Sequence, residues 1–440
     1  MGYNPGMNLR ETLQAARVAA RRLALLSGPE RSALLSDLAA ALSEPAAKQS
    51  VFVANSADMA LAREEEKAGR LGAALVKRLS LDEKKLATTV DGLEQIARMP
   101  ELVGRTLTHR ILDHGLILQR TSAPLGLLGV VFEARPDALV QITSLAWKSG
   151  NAVALKGGRE ATQSNRALTA VAHRVLAKHD IDTRAMVLLE DRAEVDNLLG
   201  MDDLVELVIA RGSSQFIRHV RNHTRIPVMA HADGICHVYL HASADPEMAA
   251  KVLVDSKCSY PAACNAVETL LWDAGAGAAL DACVKALEEK KVELRGCAET
   301  CKRHPQLKQA KDEDWDTEYG DLILSIRQVP GIVEALNHIA RHGSRHTDTI
   351  LAQDAEAAAH FLSEVDSACV FHNASTRFSD GYRFGLGAEV GISTDKLHAR
   401  GPVGVEGLLT YRWLLHGRGQ CTTEYGPDGR HYIHKDLPTD

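Results

Sequence analysis

Short apolar runs alternate with longer helix-forming runs along the middle of the chain, from about residue 125 to residue 240. The apolar runs are typical of buried strands, and helix-forming stretches separate the first five of them; they read LLGVV, NAVAL, AMVLL, LVELVIA, IPVMA and CHVYL. Parallel strands need crossover connections of this kind, and helices then cover both faces of the sheet. We therefore predict an α/β fold with a mainly parallel sheet, whose ligands bind beyond the carboxyl ends of its strands.

The rest of the chain predicts further elements around this sheet. Residues 9–98 are rich in Ala, Leu and Arg and predict a set of helices, and two alternating runs around His114 and Gly115 predict a β-hairpin. A second strand–helix series extends from about Glu268 to Cys369, and a glycine-rich tract follows it. Because 440 residues exceed one ordinary hydrophobic core, we predict two α/β domains with the active site in the cleft between them.

Composition excludes several classes of function. Charged residues make up 25% of the chain, the net charge is −6 and the basic residues are scattered, which argues against a nucleic-acid partner. No run approaches the ~18 apolar residues of a membrane-spanning helix, and no signal peptide is visible. We therefore expect a cytoplasmic protein without membrane association, whose eight cysteines stay reduced.

Two groups of cysteines invite a functional interpretation. Cys297, Cys301 and His304 lie in CAETCKRH, but no second ligand pair follows at zinc-site spacing, so we predict no metal there. The segment SKCSYPAACNAVETLL holds Cys258 and Cys264, and either thiol could be a nucleophile. The residues alone do not distinguish these two from the other cysteines.

Longer motifs resolve this ambiguity through a family resemblance. The segments ALKGG, ARGSS, PAACNAVETLL and the glycine-rich tract follow the order and spacing of the aldehyde dehydrogenase superfamily. VPGIVEALNHIARHGSRHTDTI and HARGPVGVEGLL are similar to the γ-glutamyl phosphate reductase family, and especially to the reductase half of pyrroline-5-carboxylate synthetases. The resemblance covers nearly the whole chain.

The resemblance implies an aldehyde dehydrogenase-like fold with three parts. These are a Rossmann-like NADPH-binding domain over 9–255, a catalytic α/β domain over 256–391, and a return segment with a C-terminal tail over 392–440. The hairpin over 105–125 and the tail form a small β oligomerisation element, so the resemblance implies a homo-oligomer, a dimer or larger.

The resemblance also places the catalytic nucleophile at Cys264. A thiolate attacks an acyl carbonyl well, and the thioester it forms is a good hydride acceptor. We expect a helix to start after Cys264 and to lower the pKa of its thiol, with backbone N–H groups and Asn265 stabilising the oxyanion. Cys258 is then a packed thiol.

Two departures from aldehyde-oxidising relatives favour reduction. Those enzymes use a Glu to activate the water that hydrolyses the thioester, and His231 stands at that position here, in HADG. They also carry an Asn where this chain has Ala134. Loss of the carboxylate base fits an enzyme that must not hydrolyse its thioester, although a histidine can also act as a base.

Several residues are candidates for binding an anionic substrate. Arg135 ends a strand in EARPD, where it could grip a carboxylate or phosphate, or else pair with Glu133 or Asp137. The segment HGSRHTD supplies the other candidate substrate ligands, which are Ser344, His346 and Thr347. Arg345 reads as a surface charge and His342 as a packing residue.

The cofactor-binding residues follow two strand ends. Lys156 corresponds to a lysine beside the adenosine ribose in the superfamily, and Arg159 replaces the Glu of NAD-preferring relatives, which favours NADPH. The remaining candidates would let the backbone approach the cofactor or would contact its pyrophosphate; they are Gly157, Gly158, Gly212 and Ser213.

The resemblance implies a specific reaction, namely NADPH-dependent reduction of γ-glutamyl phosphate to glutamate-5-semialdehyde in proline biosynthesis. A glutamate kinase would be a functional partner, since it makes the acyl phosphate. Two alternatives remain: an oxidising aldehyde dehydrogenase acting on another semialdehyde, and a non-catalytic binding protein that kept the fold.

Overall fold

Two parallel sheets form the centre of the computed structural model, which describes residues 8–133, 135–212, 214–231 and 233–439. The five-stranded sheet has the order Met186–Leu188, Ala152–Lys156, Leu127–Val131, Leu207–Ala210 and Val228–Ala230. The seven-stranded sheet has the order Lys308–Gln309, Glu293–Gly296, Ile323–Val329, Val267–Asp273, Cys236–Leu240, Thr347–Leu351 and Cys369–His372. The predicted α/β architecture is confirmed.

Helices connect the strands of the five-stranded sheet as the alternation predicts, over Pro136–Lys148, Thr162–Lys178, Arg192–Leu199 and Ser214–Asn222. Pro136 lies in the first turn of its helix, and Gly150, with φ +75°, allows the chain to turn into the next strand. Four N-terminal helices share the same hydrophobic core, and they are Leu9–Leu25, Gly28–Ser43, Pro45–Lys67 and Glu83–Arg98. A fifth helix, Ala73–Leu79, packs in a smaller cluster with Ala62 and Ala161.

An N-terminal carboxylate joins these helices to the sheet. Asp58 lies on helix Pro45–Lys67, is 3% exposed, and accepts hydrogen bonds from the backbone N–H groups of Gln163 and Ser164, at 3.1 and 2.8 Å. Its carboxylate also accepts from the Ser164 hydroxyl at 2.7 Å. The negative charge therefore caps the first turn of helix Thr162–Lys178, where the helix dipole favours it.

The domain boundary predicted from the sequence, at residue 255, does not coincide with the point at which the chain moves from one sheet to the other. The strand Cys236–Leu240 and the helix Pro246–Cys258, which the sequence places in the 9–255 domain, belong with the seven-stranded sheet. The chain passes from one sheet to the other between Ala230 and Cys236. An apolar run such as CHVYL predicts a strand but not its partner, because pairing depends on residues far along the chain. The functional division into domains stays a prediction.

Helices also cover the seven-stranded sheet. They extend over Pro246–Cys258, Gly277–Glu289, Ala298–Arg303, Ile332–His342 and Ala355–Glu364. The central strand Val267–Asp273 is buried over its first six residues. A two-stranded sheet, Ile392–Ser393 with Gly401–Pro402, lies in the glycine-rich tract.

A four-stranded antiparallel ribbon lies apart from the two parallel sheets. The hairpin Thr106–Asp113 and Leu116–Pro124 turns at Gly115, which has φ +72°, and this confirms the predicted hairpin. Its outer neighbours are Leu409–His416 and Lys435–Asp436 from the C-terminal segment. We call these four strands the edge ribbon.

A buried ion pair brackets the loop that carries Cys264. Lys257 Nζ lies 2.5 Å from Glu268 Oε2, and both side chains are fully buried. Burial raises the pKa of Glu268 to about 7 and lowers that of Lys257, which reflects the cost of removing both charges from water. The pair ties the end of helix Pro246–Cys258 to the start of strand Val267–Asp273, and so fixes both ends of loop 259–266.

The substitution Lys257→Met should lower the free energy of unfolding by roughly 3–5 kcal/mol, because it leaves Glu268 buried without a partner. The matched control is Arg303→Met, which removes a half-exposed partner of Asp281 and should cost no more than ~1 kcal/mol. Urea unfolding followed by circular dichroism measures both. Equal effects of the two substitutions would contradict the assigned importance of the buried pair.

Candidate active site

A cavity of about 760 Å³ lies where the N-terminal helices, the two parallel sheets and the glycine-rich tract meet. Basic and acidic side chains both line it. The basic ones are Lys77, Arg78, Lys85, Arg135, Arg211 and Arg377, and the acidic ones are Glu133, Asp233, Glu318, Asp380 and Glu389. Cys264, Asn265 and His231 also line the cavity.

Cys264 lies in a turn at the cavity wall. The chain after it enters the strand Val267–Asp273, so the expectation of a helix starting there was wrong. The apolar run AVETLLW fits a buried strand as well as a helix, and the sheet pairing decides between them. The backbone N–H groups of Cys264 and Asn265 donate to no residue that the structure describes, which leaves both available to an oxyanion.

The Asn265 side chain is nearly buried beside this turn. Its Nδ2 donates to the Ser379 carbonyl at 2.7 Å, and its Oδ1 has no partner among the described residues. One amide hydrogen is therefore already used by the protein. Cys258 does not line the cavity and packs against the apolar core of the seven-stranded sheet.

The segment that crosses between the sheets presses against Cys264. A Cβ atom at Gly234 would lie 2.1 Å from the Cys264 carbonyl oxygen and 2.6 Å from its Cα, distances that no side chain can accept. The Cys236 thiol also donates to the same carbonyl, at 3.3 Å. Glycine at position 234 therefore lets the chain approach the backbone of Cys264 closely.

Two histidines meet at Cys264. One nitrogen of His231, one of His346 and the Cys264 Sγ lie within 4.8 Å of one another. His231 Nδ1 lies 3.0 Å from the Ile392 carbonyl, and burial lowers the pKa of this imidazole. His346 is fully buried, and its Nε2 has no hydrogen-bond partner among the described residues.

The other predicted substrate ligands are placed less favourably. Arg135 lines the cavity, and it also forms a salt bridge with Asp137 at 3.0 Å, which is the structural role that the sequence analysis gave as the alternative to substrate binding. The Ser344 hydroxyl accepts from the Ile235 backbone N–H, and the fully buried Thr347 hydroxyl lies 2.8 Å from the Ser379 hydroxyl. Ser344 and Thr347 do not line the cavity, and their hydroxyls are engaged by the protein, so the geometry does not support direct contact with a substrate.

Two arginines in the cavity escaped the sequence analysis. Arg211 follows strand Leu207–Ala210 and donates to the Val390 carbonyl at 3.3 Å, while Arg377 donates to the Ser259 hydroxyl at 3.2 Å. Neither forms a salt bridge with a described residue, and burial lowers the pKa of both guanidinium groups. The position of Arg211 at a strand end was a usable signal, whereas nothing local marks Arg377.

The predicted cofactor residues follow strand Ala152–Lys156. Lys156 Nζ donates to the Gly157 carbonyl at 2.6 Å, and burial lowers its pKa. A Cβ at Gly157 would lie 2.3 Å from Asn165 Nδ2 and 3.2 Å from the Phe132 ring, so a larger residue there would have to displace these side chains. Arg159 follows Gly158, is 84% exposed at its side chain, and lies 3.4 Å from Glu160.

The second cofactor segment is described only in part. Gly212 lines the cavity, and a Cβ there would lie 3.1 Å from the Phe216 ring. Ser213, predicted near the pyrophosphate, and Ala134 lie outside the described residues. Because Asp58 already accepts from the backbone N–H groups of Gln163 and Ser164, the N-terminus of helix Thr162–Lys178 is not free for a phosphate.

Comparisons with known proteins agree with the predicted family. No family model matched the chain. A γ-glutamyl phosphate reductase of Synechococcus sp. (strain JA-3-3Ab) is 52% identical over 427 residues, covering 96% of this chain and 93% of that protein. "Gamma-glutamyl phosphate reductase 1" of Synechocystis sp. (strain ATCC 27184 / PCC 6803 / Kazusa) is 47% identical over 440 residues, covering 99% and 100%.

Solved structures give the same result. The crystal structure of a γ-glutamyl phosphate reductase from Thermotoga maritima aligns with a TM-score of 0.90 and 34% identity, covering 94% of this chain and all of that one. An acetylating aldehyde dehydrogenase from Geobacillus thermoglucosidasius aligns with a TM-score of 0.65 and 15% identity, covering 94% and 97%, which shows the shared fold alone. Among the described residues, no helix is long and apolar enough to span a membrane.

Proposed function

The chain belongs to the γ-glutamyl phosphate reductase family, and we propose that it reduces γ-glutamyl phosphate to glutamate-5-semialdehyde with release of phosphate, as a step of proline biosynthesis. The observation that carries this proposal is Cys264 in its turn. Cys264 lines a cavity that also holds the guanidinium groups of Arg211 and Arg377, and two backbone N–H groups without a partner among the described residues lie at the same turn. This arrangement suits nucleophilic attack on an anionic acyl compound.

Cys264 is the nucleophile of the proposed reaction. Its thiolate forms a bond to the acyl carbon, the bond from that carbon to the phosphate oxygen breaks, and the departing phosphate takes up a proton from solvent. A reduced nicotinamide cofactor, when bound, supplies the hydride that reduces the thioester carbonyl. The carbon–sulfur bond then breaks, which releases the aldehyde and returns the Cys264 thiolate for the next cycle.

The N–H groups of Cys264 and Asn265 would stabilise the negative charge on the carbonyl oxygen in both halves of this cycle. The substrate carries a phosphate and an α-carboxylate, and Arg211 and Arg377 are the cavity's guanidinium groups without a salt bridge to a described residue. Arginine forms bidentate contacts with either anion. We assign these two residues to substrate binding, with Arg135 beside them.

Replacement of the glutamate base by His231 favours reduction over hydrolysis of the thioester. Aldehyde-oxidising relatives activate water with a glutamate at this position, so the Cys264 thioester would meet no carboxylate there. Burial lowers the pKa of the His231 imidazole, which makes it a weaker base than an exposed histidine, and hydride transfer would compete with slower hydrolysis.

We infer that the cofactor is NADPH. Lys156 has its Nζ bonded only to a neighbouring carbonyl and has no salt bridge to a described residue, so it fits an adenosine ribose or its 2′-phosphate. Arg159 is exposed three residues later, where a positive charge attracts that phosphate. The contact between Arg159 and Glu160 is long, and the Arg159 side chain is largely exposed, so Glu160 competes only weakly with a 2′-phosphate for this charge.

The edge ribbon supports the proposal of a homo-oligomer. Tyr411, Trp413 and Leu415 alternate along its outer strand, and each side chain is more than half exposed. An edge strand with an apolar face is a ready site for pairing with a second copy. We also infer a cytoplasmic location, since all eight cysteines are free, and a functional link to a glutamate kinase that supplies the acyl phosphate.

The reaction is tested in reverse, by phosphate-dependent reduction of NADP with glutamate-5-semialdehyde. Wild type should reduce the cofactor only when phosphate is present, and Cys264→Ala should lose roughly a thousandfold or more because the covalent step is removed. Cys258→Ala, an equally small change six residues away, should keep most activity. An active Cys264 variant beside an inactive Cys258 variant would reverse the assignment.

Arg159→Glu should lower the preference for NADPH over NADH by tenfold or more, because a charge-assisted contact contributes roughly 1.5–3 kcal/mol and the new carboxylate repels the 2′-phosphate. Arg174→Glu makes the same change on the following helix, at an exposed site near Glu44, and should leave the ratio unchanged. The ratio of kcat/KM for the two cofactors measures both. A wild type that prefers NADH would defeat the proposal.

Light scattering on purified protein should show a dimer or larger assembly. Trp413→Glu should shift the mass toward the monomer, because it places a charge in the apolar face of the edge ribbon. Leu25→Glu changes another exposed apolar residue outside the ribbon and should leave the mass unchanged. A monomeric wild type, or equal dissociation by both substitutions, would rule out the ribbon as the interface.

A further inference from the structure

Cys264, His231 and His346 form a cluster with the donor atoms of a soft-metal site. We propose that this cluster binds a soft divalent cation of the Zn²⁺ or Cd²⁺ class, and that the bound cation reversibly stops turnover by coordinating the Cys264 thiolate. The binding does not depend on the enzymatic role of Cys264, whereas the inhibition rests on the function proposed above.

The geometry of the cluster is close to that of a metal site. Its three donor atoms lie within 4.8 Å of one another. Tetrahedral zinc, with bonds of ~2.3 Å to sulfur and ~2.0 Å to nitrogen, holds such atoms roughly 3.5 Å apart. Small rotations of the side chains would therefore complete the site, and thiolate with imidazole is the donor set that soft cations prefer.

The hydrogen bond of His231 fixes which of its nitrogens is free. Its Nδ1 lies 3.0 Å from the Ile392 carbonyl, and a carbonyl oxygen can only accept. The proton of the neutral ring is therefore on Nδ1, and the Nε2 lone pair is left for a ligand. Metal-bound histidines are commonly held in this way, with the second nitrogen donating to a carbonyl.

Neighbouring side chains engage one nitrogen of His346. The Ser379 hydroxyl donates to the Thr376 carbonyl at 3.0 Å. The Thr347 hydroxyl lies 2.8 Å from the Ser379 hydroxyl and 2.8 Å from His346 Nδ1, and the Cys236 thiol lies 3.8 Å from the same Nδ1. The other nitrogen, the buried Nε2, has no hydrogen-bond partner among the described residues.

The unpartnered nitrogen of His346 favours a ligand at this cluster. A buried polar atom without a hydrogen-bond partner is unfavourable, and among the described residues His346 Nε2 is such an atom. A cation would remove this cost, because it binds an imidazole nitrogen of each histidine together with the Cys264 thiolate. The thiol proton is released to solvent as the metal–sulfur bond forms.

The surrounding backbone holds the three donors in place. Gly234 lies against the Cys264 backbone, and the Cys236 thiol donates to the Cys264 carbonyl. His346 immediately precedes the strand Thr347–Leu351 and is fully buried. Because Cys264 and His231 line the cavity, an incoming ion can reach them, and water can fill its remaining coordination position.

Cadmium titration of the reduced, metal-free protein tests the proposal. Ultraviolet absorbance of the cadmium–thiolate bond and equilibrium dialysis should show one ion per chain, and Cys264→Ser should lose the absorbance. His231→Gln and His346→Gln should each weaken binding tenfold or more. Cys301→Ser, which changes a half-buried thiol outside the cavity, should bind as wild type does. If the buried His346 variant fails to fold, the His231 variant decides alone.

Zn²⁺ should inhibit turnover, and a chelator should reverse the inhibition. Each histidine substitution should weaken this inhibition about as much as it weakens cadmium binding. Cadmium absorbance that persists in Cys264→Ser, or that weakens equally in Cys301→Ser, would overturn the proposal, as would inhibition that ignores the His231 substitution. An inactive wild type that still binds one ion through Cys264 would refute the proposed function and leave the metal site standing. A Cys264 variant that is inactive yet binds cadmium normally would refute the metal site and leave the function standing.

Discussion

The contact between Gly234 and the backbone of Cys264 determines where the proposed nucleophile lies. The chain passes from the five-stranded sheet to the seven-stranded sheet between Ala230 and Cys236, so the connection that joins the two sheets also brings Gly234 against the turn of Cys264. The Lys257–Glu268 pair fixes the turn from its other side. Cys264 is thus held by backbone packing and by a buried charge pair, while its own side chain stays available for chemistry.

The cavity combines this rigid turn with two buried guanidinium groups that form no salt bridge with a described residue. Arg211 donates to a carbonyl and Arg377 to a hydroxyl, and although Glu389 favours the charge of Arg211, burial still makes both charged states more costly than in water. In the proposed function, an anionic substrate would lower that cost when it binds. The cavity would then gain from the substrate the compensation that an internal salt bridge otherwise gives, which would couple affinity to the substrate's phosphate and carboxylate.

Local sequence patterns predicted the elements well and their partners poorly. The strand–helix alternation and the hairpin around Gly115 follow from periodicities of a few residues, and the structure has them. The sheet to which Cys236–Leu240 belongs, and the strand rather than helix after Cys264, depend on distant residues. The family resemblance identified Cys264 as a candidate. No local sequence feature marks Arg377, because only the folded chain brings it to the cavity. Thr347 was predicted to be a substrate ligand because its local sequence does not show that Ser379, 32 residues away, is the partner of its hydroxyl.

The Asp58 cap has a consequence for the order in which the protein assembles on the ribosome. The carboxylate belongs to helix Pro45–Lys67, but the backbone groups that it binds arrive more than a hundred residues later. Until helix Thr162–Lys178 has emerged, Asp58 must remain in water, and the N-terminal helices cannot close their final packing around it. The N-terminal helices are therefore synthesised first, but their packing is completed late. A nascent chain keeps part of its apolar surface exposed while the five-stranded sheet is being synthesised.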